Sequence, residues 1–130
     1  MLDIKHDLQR KVVICTVRGV IRLEEMRSWL ASYKQQTDVF ANAPHILIAD
    51  MRGMAPLAPE VAEVLGEAIG YGRAHGVVLC AHLSDSGTVR LQSRRVAREV
   101  DPHDRCTIDV VSLEEAWALI AEREATQLAS

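Results

Sequence analysis

The sequence predicts an α/β domain: a mostly parallel sheet of about five strands with an antiparallel first strand and four flanking helices, in the order β-β-α-β-α-β-α-β-α. Three observations predict it. Five short stretches have the apolar or alternating pattern of strands, and four longer segments carry apolar residues at helical spacing. From the second strand onward the two kinds alternate, and strands alternating with helices of this length become parallel neighbours joined by right-handed crossovers. The 130 residues fit a single domain, 1–130, able to bury roughly two thirds of the surface of its unfolded chain.

Leu2, Ile4 and Leu8 alternate with Asp3, Lys5 and Asp7, the period of a strand with one face on a core and one in water. After the polar turn Gln9-Arg10-Lys11, the run Val12 to Val17 is β-branched and apolar on both faces, and the two strands form a hairpin. Leu23, Met26, Trp29, Leu30 and Tyr33 mark the first helix, with Glu24 and Glu25 where the helix dipole favours negative charge. Ile46 to Ala49 is the third strand. The second helix opens at Pro59, carries Val61, Val64, Leu65, Ala68 and Ile69 on one stripe, and stops near Gly76. Val77 to Leu83 leads through Ser84-Asp85-Ser86-Gly87 to a helix with Val89, Val96 and Val100, ended by Asp101-Pro102. Cys106, Ile108 and Val110 alternate in a fifth strand, and Ser112 caps a last helix with Leu113, Ala116, Trp117 and Ile120, at capping-box spacing from Glu115. Alternating first and last strands and continuous apolar middle ones place strands one and five at the edges.

Composition narrows the function. With 48% hydrophobic and 25% charged residues the chain is ordinary globular protein, and its longest apolar runs are far short of the roughly 20 residues a membrane span needs. The first residues alternate charges and lack the basic-then-apolar order of a secretory signal, so a cytoplasmic location is expected. A net charge of −3 and no aromatic residues among the arginines argue against nucleic acid. Cys15, Cys80 and Cys106 sit in strand-like stretches and read as reduced, buried thiols. Five scattered histidines form no metal-ligand pair, so neither metal nor cofactor is expected. His82 near Ser84 and Asp85 lacks a Gly-x-Ser-x-Gly elbow and does not make a triad. Asp50 ends the third strand without a carboxylate companion and is expected to bond the turn at Arg52-Gly53. No catalytic constellation emerges, and a binding role, not an enzyme, is expected.

Four features together resemble the STAS family, the domain of anti-sigma-factor antagonists and sulphate transporters, and in particular its SpoIIAA-like relatives. They are the hairpin with Val17-Arg18-Gly19-Val20, the strand Ile46 to Asp50 followed by Met51-Arg52-Gly53, the strand from Gly76 to Leu83, and the closing Ser112-Leu113-Glu114-Glu115-Ala116-Trp117. The resemblance covers nearly the whole chain and implies a bacterial regulatory module that binds a protein. It also implies a phosphorylatable Ser or Thr at the start of the second helix, where added charge weakens docking. Gly53-Met54-Ala55-Pro56-Leu57-Ala58-Pro59-Glu60 contains no hydroxyl, so the usual switch is absent. Another branch of these relatives resembles lipid-carrier folds, which implies as the alternative a carrier or sensor of a small apolar or anionic ligand.

Two segments are candidate sites. Gly53, Met54, Pro56, Leu57, Ala58, Pro59 and Glu60 form an apolar loop at the carboxyl end of a parallel strand, where open α/β sheets place ligands; it is either a partner surface or a cap on the core. Ser84, Ser86, Gly87 and Thr88 precede a helix bearing Arg90 and Arg94, with Arg95 and Arg98 beyond, a place for an anion or an acidic partner, or else ordinary capping below a solvated face. Gly66, Gly70 and Gly72 on the second helix each cost about 1 kcal/mol relative to alanine, which requires either tight packing or a homodimer contact.

Overall fold

The computed structural model describes residues 1–129, with side chains described through Arg123. Its elements run β1 (Leu2–Asp7), β2 (Val12–Val17), α1 (Leu23–Asp38), β3 (His45–Asp50), α2 (Pro59–Ala74), β4 (Val77–Leu83), α3 (Gly87–Val100), β5 (Thr107–Val110) and α4 (Leu113–Ala129). The strands form one sheet in the order β1-β2-β3-β4-β5, with β1 antiparallel to β2 and every later pair parallel. The predicted α/β class, the antiparallel first strand and the two edge strands are all present.

Laying parallel strands down in chain order with right-handed crossovers sends every connecting helix to the same face. So α1, α2 and α3 share one layer, where Val13, Cys15, Trp29, Tyr33, Ala49, Leu65, Ala68 and Val89 belong to one buried cluster. The other face holds Val12, Ile46, Ile48, Leu79, Ala81 and Leu83, covered by Ala116 and Ile120 of α4. Strand periodicity divides the residues this way: Val12 and Val13 are both fully buried, on opposite faces. Burying a side chain the size of Ile48 stabilises the fold by about 1.5–3 kcal/mol.

Local chemistry sets the element ends. Lys11 takes a left-handed φ of 59° in the hairpin, where Asp7 Oδ1 accepts the Arg10 N–H at 3.0 Å. Glu25 Oε1 accepts from Arg22 N at the start of α1, so the acidic first turn caps as well as complements the dipole. Ser86 caps α3 through Val89 N. Ser112 Oγ accepts Glu115 N at 3.1 Å, but the Glu115 carboxylate reaches back to Val111 N, which gives half of the expected capping box.

α1 runs past Tyr33 to Asp38 because Thr37 continues the inward stripe of Trp29 and Tyr33. Thr37 is fully buried, and its hydroxyl is bonded to His45 Nε2, whose other ring nitrogen meets Ala43 O at 2.8 Å. The glycines of α2 admit neighbours from within the chain. A Cβ at Gly70 would lie 3.3 Å from Val100, one at Gly66 3.5 Å from Val96, and one at Gly72 would collide with the Tyr33 hydroxyl. Close packing of α2 against α3 and α1 therefore accounts for all three.

Candidate functional site

The carboxyl ends of β2, β3 and β4 converge, and each following loop is tied to the next. Arg18, just past β2, donates to Asp50 O at 3.0 Å and to Asp50 Oδ2 at 2.9 Å, while Arg52 donates to both oxygens of the same carboxylate. Burial alone would raise the Asp50 pKa, but the hydrogen bonds from Arg52 and Arg18 hold it well below the usual carboxylate range. Asp50 thus bonds the turn as expected, through Arg52 N at 3.3 Å. Gly53 N instead donates to Asp85, at 3.0 and 3.2 Å from its two oxygens. Gly53 also sits at φ +75°, which favours glycine, and its carbonyl accepts Gly19 N at 2.8 Å.

The two segments singled out by sequence are brought side by side, though not as open surfaces. Met54 and Leu57 are 5% and 6% exposed and belong to the core. Gln92 of α3 donates to Leu57 O at 2.7 Å and accepts from Leu57 N at 2.8 Å, pinning the loop down. What reaches solvent is a crest of Gly53, Pro56, Ala58, Pro59 and Glu60. In the second segment Ser84 is buried, and its hydroxyl is engaged within its own turn, donating to Ser86 O. The Ser86 hydroxyl is taken by the helix cap, leaving Gly87 and Thr88 exposed. Arg90 donates to Ser84 O at 3.1 Å, and Arg94 is paired with Asp109. At this helix start both serine hydroxyls are thus engaged, only that of Thr88 stays open, and the arginines gather elsewhere.

They gather on the outer face of α3. Arg90, Arg94, Arg95 and Arg98 line an open groove of about 550 Å³ with Leu91, Glu99 and Asp109. Arg94 pairs with Asp109 and Arg95 lies 3.9 Å from Glu99, whereas Arg90 and Arg98 have no carboxylate partner among the described residues. The groove is cationic although the chain is acidic.

Behind it is a feature that sequence reasoning missed. Between the sheet and the helix layer lies a largely enclosed cavity of about 60 Å³, walled mostly by apolar side chains including Cys15, Tyr33, Leu47, Cys80 and Ala97. That is several times the roughly 10–15 Å³ needed to place one water. Arg94 borders both cavity and groove. Trp29 lines the cavity at 7% exposure, and its Nε1 is buried with no hydrogen-bond partner among the described residues. Arg73 closes another part of the wall, donating to Asp104 Oδ1 at 3.1 Å and Thr107 Oγ1 at 3.2 Å; its Nε, 4.0 Å from Asp101, makes no hydrogen bond.

His82, also in the wall, is held by Asp109 of the neighbouring strand, with Nδ1 3.3 Å from Oδ1 and Nε2 3.2 Å from Met51 Sδ. An ionised carboxylate only accepts, so the neutral ring carries its proton on Nδ1. Burial lowers the His82 pKa against the opposing pull of Asp109. Asp109, which burial would raise, is lowered by Arg94 and then by His82. Burial pushes the Cys15 thiol well up and the Cys80 thiol to about 12, so neither is a nucleophile near neutrality. No group of His, Cys, Asp and Glu suited to a metal occurs among the described residues, and none of their helices is long and apolar enough to cross a membrane. Scans against protein-family models and against curated proteins find no match to this chain.

Proposed function

We propose that this chain is a non-enzymatic binding domain of the SpoIIAA-like type, and that it carries or senses a small molecule with an apolar part. The observation that supports this best is the enclosed, mostly apolar cavity between sheet and helices, walled in part by Cys15, Trp29, Tyr33 and Cys80. Sequential strand order, the opening hairpin and the third-strand loop support the family resemblance.

Native mass spectrometry of the full chain purified gently from its own host tests the reading. A small molecule retained on the folded protein and lost on denaturation is the expected result. A protein carrying nothing, and taking up no small amphiphile when offered one, would end it.

A second reading keeps regulatory protein docking, on the crest of Gly53, Pro56, Ala58, Pro59 and Glu60. Its support is preorganisation: Gln92, Asp85 and Gly19 hold that crest in one position before any partner arrives. The segment has no hydroxyl, so such docking would not be switched by phosphorylation there.

A further inference from the structure

We infer that the apolar cavity and the arginine groove are two halves of one site for an amphipathic anion, a carboxylate or phosphate bearing a short apolar substituent, with the Arg94–Asp109 pair as the gate between them. This rests on the ligand-binding reading above and adds to it the ligand's chemical class and its route.

The case begins with position. α3 packs on α2 through Val96 and Val100 against Gly66 and Gly70, and places Ser93, Arg94 and Ala97 in the cavity wall. Arg90, Leu91, Arg95 and Arg98 of the same helix line the groove outside. Arg94 belongs to both sets, and in this inference the step from groove to cavity passes its guanidinium. That guanidinium is held by Asp109, with Nε donating to Oδ2 at 2.9 Å.

Charge decides the head group. Around the groove four arginines face two acids, and Arg90 and Arg98 have no carboxylate partner among the described residues. A planar guanidinium matches a carboxylate or phosphate with paired N–H donors. An entering anion replaces Asp109 on Arg94, and Asp109 keeps its contact with His82 as it yields. Inside, the walls offer mostly apolar carbon, which suits a short hydrocarbon segment. The enclosed volume of about 60 Å³ limits that segment to a few carbons, whereas the groove has room for a larger head.

The test uses the full chain, labelled with nitrogen-15, and follows the Trp29 indole N–H and the amides of Ser93 to Ala97. Probes are mono-n-butyl phosphate, butyrate, n-butanol, n-butylamine and inorganic phosphate. One or both butyl anions should bind at least tenfold more tightly than butanol or inorganic phosphate, the better of the two identifying the head. Across an alkyl phosphate series affinity should rise about fourfold per methylene until the cavity is full, then level off. Arg94→Gln should shrink the preference for the anion over butanol below threefold, and Asp109→Asn should strengthen anion binding severalfold. Arg90→Gln, read in a spectrum whose dispersion reports the fold, supplies the same comparison if Arg94→Gln does not fold, and should weaken anion binding. Equal binding of butanol and the butyl anions overturns the inference while leaving the cavity reading intact, as does an unchanged preference in both arginine variants. Inorganic phosphate binding as tightly as butyl phosphate also overturns it. If no probe moves the Trp29 indole resonance, the cavity reading falls and takes this inference with it.

Discussion

Gln92 and Leu57 exchange a pair of hydrogen bonds, the side-chain amide of one satisfying both the N–H and the C=O of the other. The side chain thereby acts as a strand would, giving a loop residue the two main-chain partners it lacks. Gln92→Ala should cost about 1–3 kcal/mol in chemical denaturation, the sum of two ordinary hydrogen bonds. It should also speed amide exchange at Leu57. Gln92→Glu keeps an acceptor but loses the donor, and should fall between alanine and wild type; a Gln92→Ala protein as stable as wild type would contradict this account.

Leu57 itself serves packing. Leu57→Ala should destabilise by about 2–5 kcal/mol, and Leu57→Asp should cost more, since it buries a charge without a partner. Pro56→Asp, on the exposed crest of the same loop, should leave the denaturation midpoint almost unchanged. Pro56→Asp is therefore the variant that can probe docking without unfolding the domain.

Acid should weaken the fold in two stages. Burial lowers the pKa of His45 and His82 below the ordinary 6.5, so the folded state binds fewer protons than the unfolded one. Their contribution is fully present above about 6.5 and is lost as pH falls from there toward the folded values. Asp50, Asp104 and Asp109 are held below the ordinary 3.8 despite burial, so theirs is present above that value and lost beneath it. Urea midpoints should hold steady from pH 8 to 7, decline below 6.5 and decline again below 4. A flat profile between pH 7 and 5 would contradict the histidine assignment.

Alanine at two glycines of α2 should act in opposite directions. At Gly66 the added methyl has ordinary contact distance to Val96, so the gain in helix propensity, about 1 kcal/mol, should raise the melting temperature. At Gly72 it would meet the hydroxyl of Tyr33, which is only 1% exposed and cannot turn away, so the protein should melt earlier.

Much of this architecture could be read from one sequence because periodicity is local. Val12 to Val17, Ile46 to Ala49 and Val77 to Leu83 show their burial on both faces in their own composition. The last turn of α1 was hidden because Thr37 occupies an inward position with a polar side chain, and its partner His45 lies beyond the following loop. Asp109 reaches His82 across adjacent strands, a relationship of sheet register that residue spacing does not carry. The cavity is further from view, since its walls come from Cys15, Trp29, Cys80 and Ala97, and a gap belongs to no residue. The arginine stripe was visible as helical spacing; its pairing with Asp109 was not.

The strands lie across the sheet in the order of the chain, which has a consequence for how the domain is born. Each strand emerging from a ribosome finds its final neighbour already made, and none must be threaded between two others. The helix layer can close progressively as α1, α2 and α3 arrive. The opposite face has no such schedule: Val12, Ile46 and Ile48 wait for Ala116 and Ile120. A nascent chain stalled before Leu113 therefore displays a finished helical side and a bare aliphatic one, the surface a ribosome-associated chaperone would meet.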